Sequence, residues 1–176
     1  MALNTKVKTN MYPPGFIKVN VDMDGVLTDW DGAVKELTGE ILDLNDPKDK
    51  KDRVYKAIDA AGPRFWSDMK WLPDSVGGKA LWTILKPFSP ILLSSPGQFL
   101  YAEQGKKEWV SKNMPGTVLF LDPDKFKYAE RDSVLIDDME KNISAWQGSG
   151  GIGILHKNTE STEIALLSLL SPERND

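Results

Sequence analysis

Five short apolar runs, each closed by a polar residue, limit what this chain can fold into. They are FIKVNV at 16–21, PILLSS at 90–95, TVLFLD at 117–122, SVLIDD at 133–138 and GIGILH at 151–156. Strands that are apolar along nearly their whole length must be buried on both faces. That is the signature of a parallel sheet covered by helices on either side. Segments of helical period alternate with the later runs: 76–85, 101–112, a short one marked by Ile143 and Trp146 that ends at Gly148, and, after the last run, 160–170 with Thr159 as a candidate cap. The pattern predicts an α/β fold with a Rossmann-like parallel sheet flanked by helices.

The alternation breaks once, after the first run. Val34, Leu37, Ile41 and Leu44 recur at helical spacing, and Asn45-Asp46-Pro47 ends that helix and starts another with Pro47 at its first position. Val54, Ala57, Ile58 and Ala61 give the second helix an apolar stripe, stopped by Gly62-Pro63. The stretch FWSDMKW at 65–71 reads as aromatic and irregular, and the charge run DPKDKKDR as a solvated face. The expected organisation is a core domain of residues 16–30 and 72–172, with a small helical cap of residues 31–71 inserted after the first strand.

Composition closes off several chemistries. Of 176 residues none is cysteine and one, His156, is histidine. Thiolate nucleophiles, disulfides and cysteine or histidine-rich zinc sites are excluded, and a Ser-His-Asp triad would hang on His156 alone. Chemistry is left to carboxylates, lysines and hydroxyls, an oxygen-rich set that suits Mg²⁺. The formal net charge of −4 argues against a broad basic nucleic-acid face. No run is long and apolar enough to span a membrane, and MALNTKVKTNMYPPGF lacks the apolar stretch of a signal peptide, so a cytoplasmic protein with no membrane partner is expected.

Ligands of open α/β sheets bind at the carboxyl ends of the strands. Those ends carry Asp22-Met23-Asp24-Gly25, then Ser94-Ser95-Pro96, then Asp122 with Asp124 and Lys125 beyond it, and lastly Asp137-Asp138. Asp22 and Asp24 alternate along a strand and so share a side. Grouped with Asp137 and Asp138 they would repel one another unless a cation lay between them. Mg²⁺ accepts a few carboxylates together with water and phosphate oxygens. Ser94, Lys106 and Lys125 would supply donors and positive charge for a phosphate. Gly25 lets the backbone pass close to a ligand.

This ordered set, Asp22-x-Asp24-Gly-Val, then Ser94-Ser95, then lysine, then Ile-Asp137-Asp138, resembles the haloacid dehalogenase (HAD) superfamily of phosphohydrolases. The stretches DMDGVLTDW, FWSDMKWLPDS, LLSSP, KKEWV and LIDDMEKNI further resemble its 5'(3')-deoxyribonucleotidase branch, which carries a small helical cap. The resemblance implies an Mg²⁺-dependent phosphomonoester hydrolase working through an aspartyl-phosphate. Asp22 would be the nucleophile and Asp24 the acid and base. Asp22, the backbone carbonyl of Asp24 and an acid of the late pair, Asp138 first and Asp137 in support, would hold the metal. Ser94 and Ser95 would bind phosphate. Lys106 fits the phosphate lysine of that branch, Lys125 a second substrate lysine, and Lys127 is a further candidate. Phe65 and Trp66 either flank a nucleobase or pack the cap onto the core. The implied substrate is a small phosphoester, a (deoxy)nucleoside monophosphate before other candidates. The alternatives are a phosphorylated nucleic-acid end, or an inactive nucleotide-binding protein on the same fold.

Other readings fit less well. In LTDWDG an EF-hand would need ligands where Leu27 and Thr38 stand. A phospho-accepting receiver would carry its acid pair on the first strand, whereas here the pair comes last. His156 lies outside the acid-hydroxyl-lysine set and reads as structural or solvent-facing. Trp82, Trp109 and Trp146 read as core, and Asp29, Asp31 and Glu36 as a solvated helix start.

Overall fold

The computed structural model describes residues 17–43 and 45–170. Phe16, Leu44 and the last two residues of the expected core lie outside them. Five strands form one sheet: β1 (Lys18–Val21), β2 (Ile91–Ser94), β3 (Leu119–Leu121), β4 (Ser133–Asp137) and β5 (Ile152–Leu155). Their order is β3-β2-β1-β4-β5 and every pairing is parallel. Within the described residues the strands are one to three residues shorter than the apolar runs, whose remaining residues lie in the flanking loops.

The sheet buries both faces by simple alternation. Val19, Val21, Leu92, Val134, Ile136 and Ile154 enter the larger apolar cluster. Their neighbours Leu93 and Leu135 point the other way, onto Ile143 and Trp146. Those two residues belong to one of seven α-helices among the described residues: α1 (Trp30–Thr38), α2 (Lys48–Ala61), α3 (Pro63–Ser67), α4 (Gly78–Leu85), α5 (Ala102–Asn113), α6 (Glu140–Gly148) and α7 (Thr159–Leu170).

Four of these helices lie between β1 and β2, and the local sequence explains where they stop. The helix expected to run from Val34 to Leu44 ends at Thr38, since Gly39 takes the left-handed conformation (φ 75°) and closes it. Ile41 is outside the helix and exposed. Pro47 is the N-cap of α2 rather than its first helical residue. The stretch expected to be irregular contains α3, because Gly62 ends α2 and Pro63 at once starts the next helix. Thr159 lies inside α7, and the Asn158 side chain caps it by accepting from the Ser161 N–H. His156 is buried, with Nδ1 2.8 Å from Thr162 Oγ1, which removes the solvent-facing reading. Burial pushes its imidazole pKa down. Trp109 and Trp146 are fully buried, and Trp82 packs against the core partly exposed.

Gly105 interrupts the helical signal of α5 for a packing reason. A Cβ there would lie 2.5 Å from Pro63 O and 2.4 Å from Trp66 Cβ. Only glycine lets α3 and α5 approach this closely.

Candidate active site

The register builds the site. Val21 pairs with Leu92 on one side and Ile136 on the other, so the residues just beyond them converge at the carboxyl edge. The Asp22 N–H donates to Ile136 O, which brings Asp22 beside Asp137. The chain runs from β1 outward to β2 and β3, then crosses back to β4. That reversal is the switch point where α/β sheets bind ligands.

Asp22 and Asp24 reach the same place, though not by strand alternation. After Asp22 the chain turns: the N–H groups of Val26, Leu27 and Thr28 all donate to Met23 O. Met23 is driven into the core and the two aspartates stay at the edge. Gly25 closes the turn at φ 77°, and a Cβ there would lie 2.3 Å from Asp138 Oδ2. Glycine is therefore required both by conformation and by the approach of Asp138.

Two lysines enter the cluster with different partners. Lys125 Nζ lies 2.8 Å from Asp22 Oδ1 and 2.6 Å from Asp137 Oδ2. Lys106 Nζ lies 2.6 Å from Asp24 Oδ2, 2.9 Å from Ser94 Oγ and 2.6 Å from Ser95 O. Lys127 stays at the surface against Asp124 and Asp122, and Asp122 is used locally by the Asp124 N–H and the Tyr128 hydroxyl. Lys127 and Asp122 are therefore not brought to the site.

The late acids divide in a similar way. Asp137 accepts from Lys125, the Met139 N–H and Asn142 Nδ2. Asp138 meets no side-chain donor among the described residues. Carboxylate oxygens of Asp22, Asp137 and Asp138 all lie within 4.8 Å of one another, an all-oxygen donor set of the kind a hard divalent cation takes. Burial, followed by the charges of Asp22 and Asp137, pushes the Asp138 carboxyl up to about 7. Burial and Asp22 also raise Asp137, against the pull of Lys125. Burial alone would lower Lys125, but Asp22 and Asp137 outweigh it and hold its ammonium above the usual lysine range.

Two cavities meet at Asp24. One of about 230 Å³ is lined by Asp22, Asp24, Ser94, Ser95, Lys125 and Asn142. The other, about 350 Å³, has Asp24, Trp30, Leu42, Tyr55, Leu72 and Asp138 in its wall. Asp29, Asp31 and Asp43 also face the larger cavity, so the helix start expected to be merely solvated borders the site. Burial and the neighbouring Asp29 raise Asp31. Phe65 and Trp66 line neither cavity. Both are buried and pack edge to face, and Trp66 also meets Phe99. Thr28, Asn142, Trp30 and Tyr55 escaped the sequence reading. Their only signal was closeness to the acidic motifs or to helix starts, which distinguishes them from no ordinary surface residue.

No protein-family model and no curated protein sequence matches the chain. Solved structures similar to it include a putative β-phosphoglucomutase from Thermotoga maritima, 13% identical, covering 88% of this chain and 100% of that one at a TM-score of 0.48. A haloacid dehalogenase-like family hydrolase from Streptococcus pneumoniae is 12% identical over 87% of this chain and 91% of that one, TM-score 0.47. A hydrolase from Pseudomonas syringae is 15% identical over 77% and 82%, TM-score 0.45.

Proposed function

We propose that this chain is a phosphomonoester hydrolase of the HAD type, in which Asp22 receives the phosphoryl group. One observation carries the reading: Asp24 stands in the wall between two cavities, and the smaller holds Asp22, Ser94 and Lys125. A phosphate in the smaller cavity would face the nucleophile, a hydroxyl and a cation. Its leaving group would lie across Asp24 in the larger one.

The chemistry balances on these residues. An Asp22 carboxylate oxygen attacks phosphorus, the bond to the leaving oxygen breaks, and Asp24 gives that oxygen its proton. Water then attacks phosphorus, Asp24 takes the water's proton, and the bond to Asp22 breaks, which restores its carboxylate and frees phosphate. Lys125 and Ser94 stabilise the phosphoryl oxygens. Asp22 and Asp138, with the backbone carbonyl of Asp24 implied by the resemblance, would hold Mg²⁺, and Asp137 keeps Lys125 in place. Bound there, the ion supplies positive charge that offsets the carboxylates and the phosphate.

The proposed substrate is a nucleoside monophosphate. Trp30, Tyr55, Leu42 and Leu72 give the larger cavity an apolar and aromatic wall fit for a base or sugar. Asp29, Asp31 and Asp43 on that wall disfavour a phosphorylated nucleic-acid end, whose further phosphates they would repel. Residues 31–71 are proposed to act as the cap that encloses the leaving group.

The test is phosphate release from nucleoside monophosphates, a 3'-phosphorylated oligonucleotide and an aryl phosphate, with Mg²⁺ and with EDTA. Mg²⁺-dependent release that favours the nucleotides is the expected result. No release from any of them would contradict the reading.

A further inference from the structure

Among the described residues, Lys106 is the largest buried charged side chain that the proposed chemistry leaves without a task. It is 0% exposed and lines neither cavity at Asp24. An ammonium has three N–H donors. Here they meet three acceptors, Asp24 Oδ2, Ser94 Oγ and Ser95 O. The Trp66 ring lies 5.2 Å from Nζ, a cation–π arrangement that leaves no room for a ligand on that side. The other oxygen of Asp24, Oδ1, accepts from Thr28 Oγ1 at 2.9 Å. The Asp24 carboxylate is thus gripped at both oxygens, by a lysine of α5 and by a threonine of the turn after β1.

From this geometry we infer that Lys106 is a positioning residue for Asp24 and not a phosphate ligand. Phosphate would have to displace Asp24 or Ser94 to reach Nζ, whereas Lys125 already faces the phosphate-sized cavity. The inference rests on the proposed hydrolase reading. It also gives Trp66 a role as the cover of Lys106, with Gly105 permitting that contact.

Two variants remove the grip from opposite sides: Lys106→Met and Thr28→Val, the second nearly isosteric. Each is compared with the wild type on an alkyl phosphomonoester, whose leaving oxygen needs a proton, and on p-nitrophenyl phosphate, whose leaving group does not. The Ki of inorganic phosphate is measured in parallel. A general acid contributes about 10²–10⁴-fold, so kcat/KM on the alkyl ester, which reports transfer of the phosphoryl group to Asp22, is expected to fall about 10²-fold or more in Lys106→Met. The fall in Thr28→Val is expected to be smaller but of the same kind. Both variants should lose less than about 10-fold in kcat/KM on p-nitrophenyl phosphate, with phosphate Ki nearly unchanged, while kcat falls on both esters because Asp24 also activates the water of the second step. Equal loss of kcat/KM on both esters, with a phosphate Ki weakened about 10-fold or more in Lys106→Met, would overturn the inference and make Lys106 a phosphate ligand. Failure of the wild type to release phosphate from either ester would instead remove the hydrolase reading, and the inference with it.

Discussion

Lys125 Nζ sits between Asp22 Oδ1 and Asp137 Oδ2, at 2.8 Å and 2.6 Å, and joins the first strand end to the fourth. It is the only ammonium paired with this group of three carboxylates among the described residues. Lys125→Met is expected to lower kcat/KM about 10²- to 10³-fold, the usual cost of losing one electrostatic contact to a developing charge. It also leaves a buried charge uncompensated, which is expected to cost about 3 kcal/mol of stability near neutral pH. Kinetics and denaturant unfolding of the same preparation check both. Unchanged turnover would move the phosphate site elsewhere.

On the proposed reading, Asp138 makes cation binding pH-dependent. Its folded pKa, about 7, is raised above the ordinary carboxylate value. In the metal-free protein its contribution to stability is therefore complete below about pH 4 and is lost as pH rises towards 7. A divalent cation needs the ionised form and acts in the opposite sense. The rise in Tm on adding Mg²⁺ is expected to be clearly larger at about pH 8 than at about pH 5.5, and to shrink in Asp138→Asn. A shift that is independent of pH would contradict the assignment of Asp138 to the cation.

Gly105→Ala separates packing from helix propensity. Alanine favours an isolated helix by about 1 kcal/mol over glycine. Here its Cβ would meet backbone Pro63 O at 2.5 Å, which no side-chain rotation relieves. A net destabilisation of about 1–2 kcal/mol in urea unfolding is expected. A stabilised variant would show that α3 and α5 are not in this contact.

The strands and their polar ends were legible in the sequence because burial on both faces leaves a continuous apolar signal, and the rim residues simply follow it. Asp22, Asp24, Ser94, Lys125 and Asp137 could be collected without knowing a single contact. Helix ends were less legible. The period of Val34, Leu37 and Ile41 continues past Gly39, and only the left-handed glycine shows that the helix has stopped. The partners of the lysines were not legible at all. Lys106 and Asp24 lie 82 residues apart, and no spacing rule says which acid a lysine will meet. The same holds for Phe65 and Trp66, which the α2–α3 junction turns into the interior.

Gly25→Ala should act on the proposed cation site more than on the fold. The substitution strains a φ of 77° and puts a methyl group 2.3 Å from Asp138 Oδ2. Asp138 has to withdraw. The Mg²⁺-induced rise in Tm is expected to be lost or strongly reduced, while the far-UV circular dichroism of the metal-free protein is retained. A wild-type Mg²⁺ response would show that Asp138 is not needed there.

The central claim is that the phosphoryl group passes through Asp22. The direct measurement is an acid-quenched turnover with Mg²⁺ and a phosphate monoester that the enzyme hydrolyses, followed by borohydride reduction and peptide mass spectrometry. Borohydride converts an aspartyl-phosphate into homoserine and leaves free aspartate untouched. Homoserine at position 22, absent without substrate and absent in Asp22→Asn, is the expected result. Phosphate release with no reduced residue at position 22, or wild-type turnover in Asp22→Asn, would contradict the account.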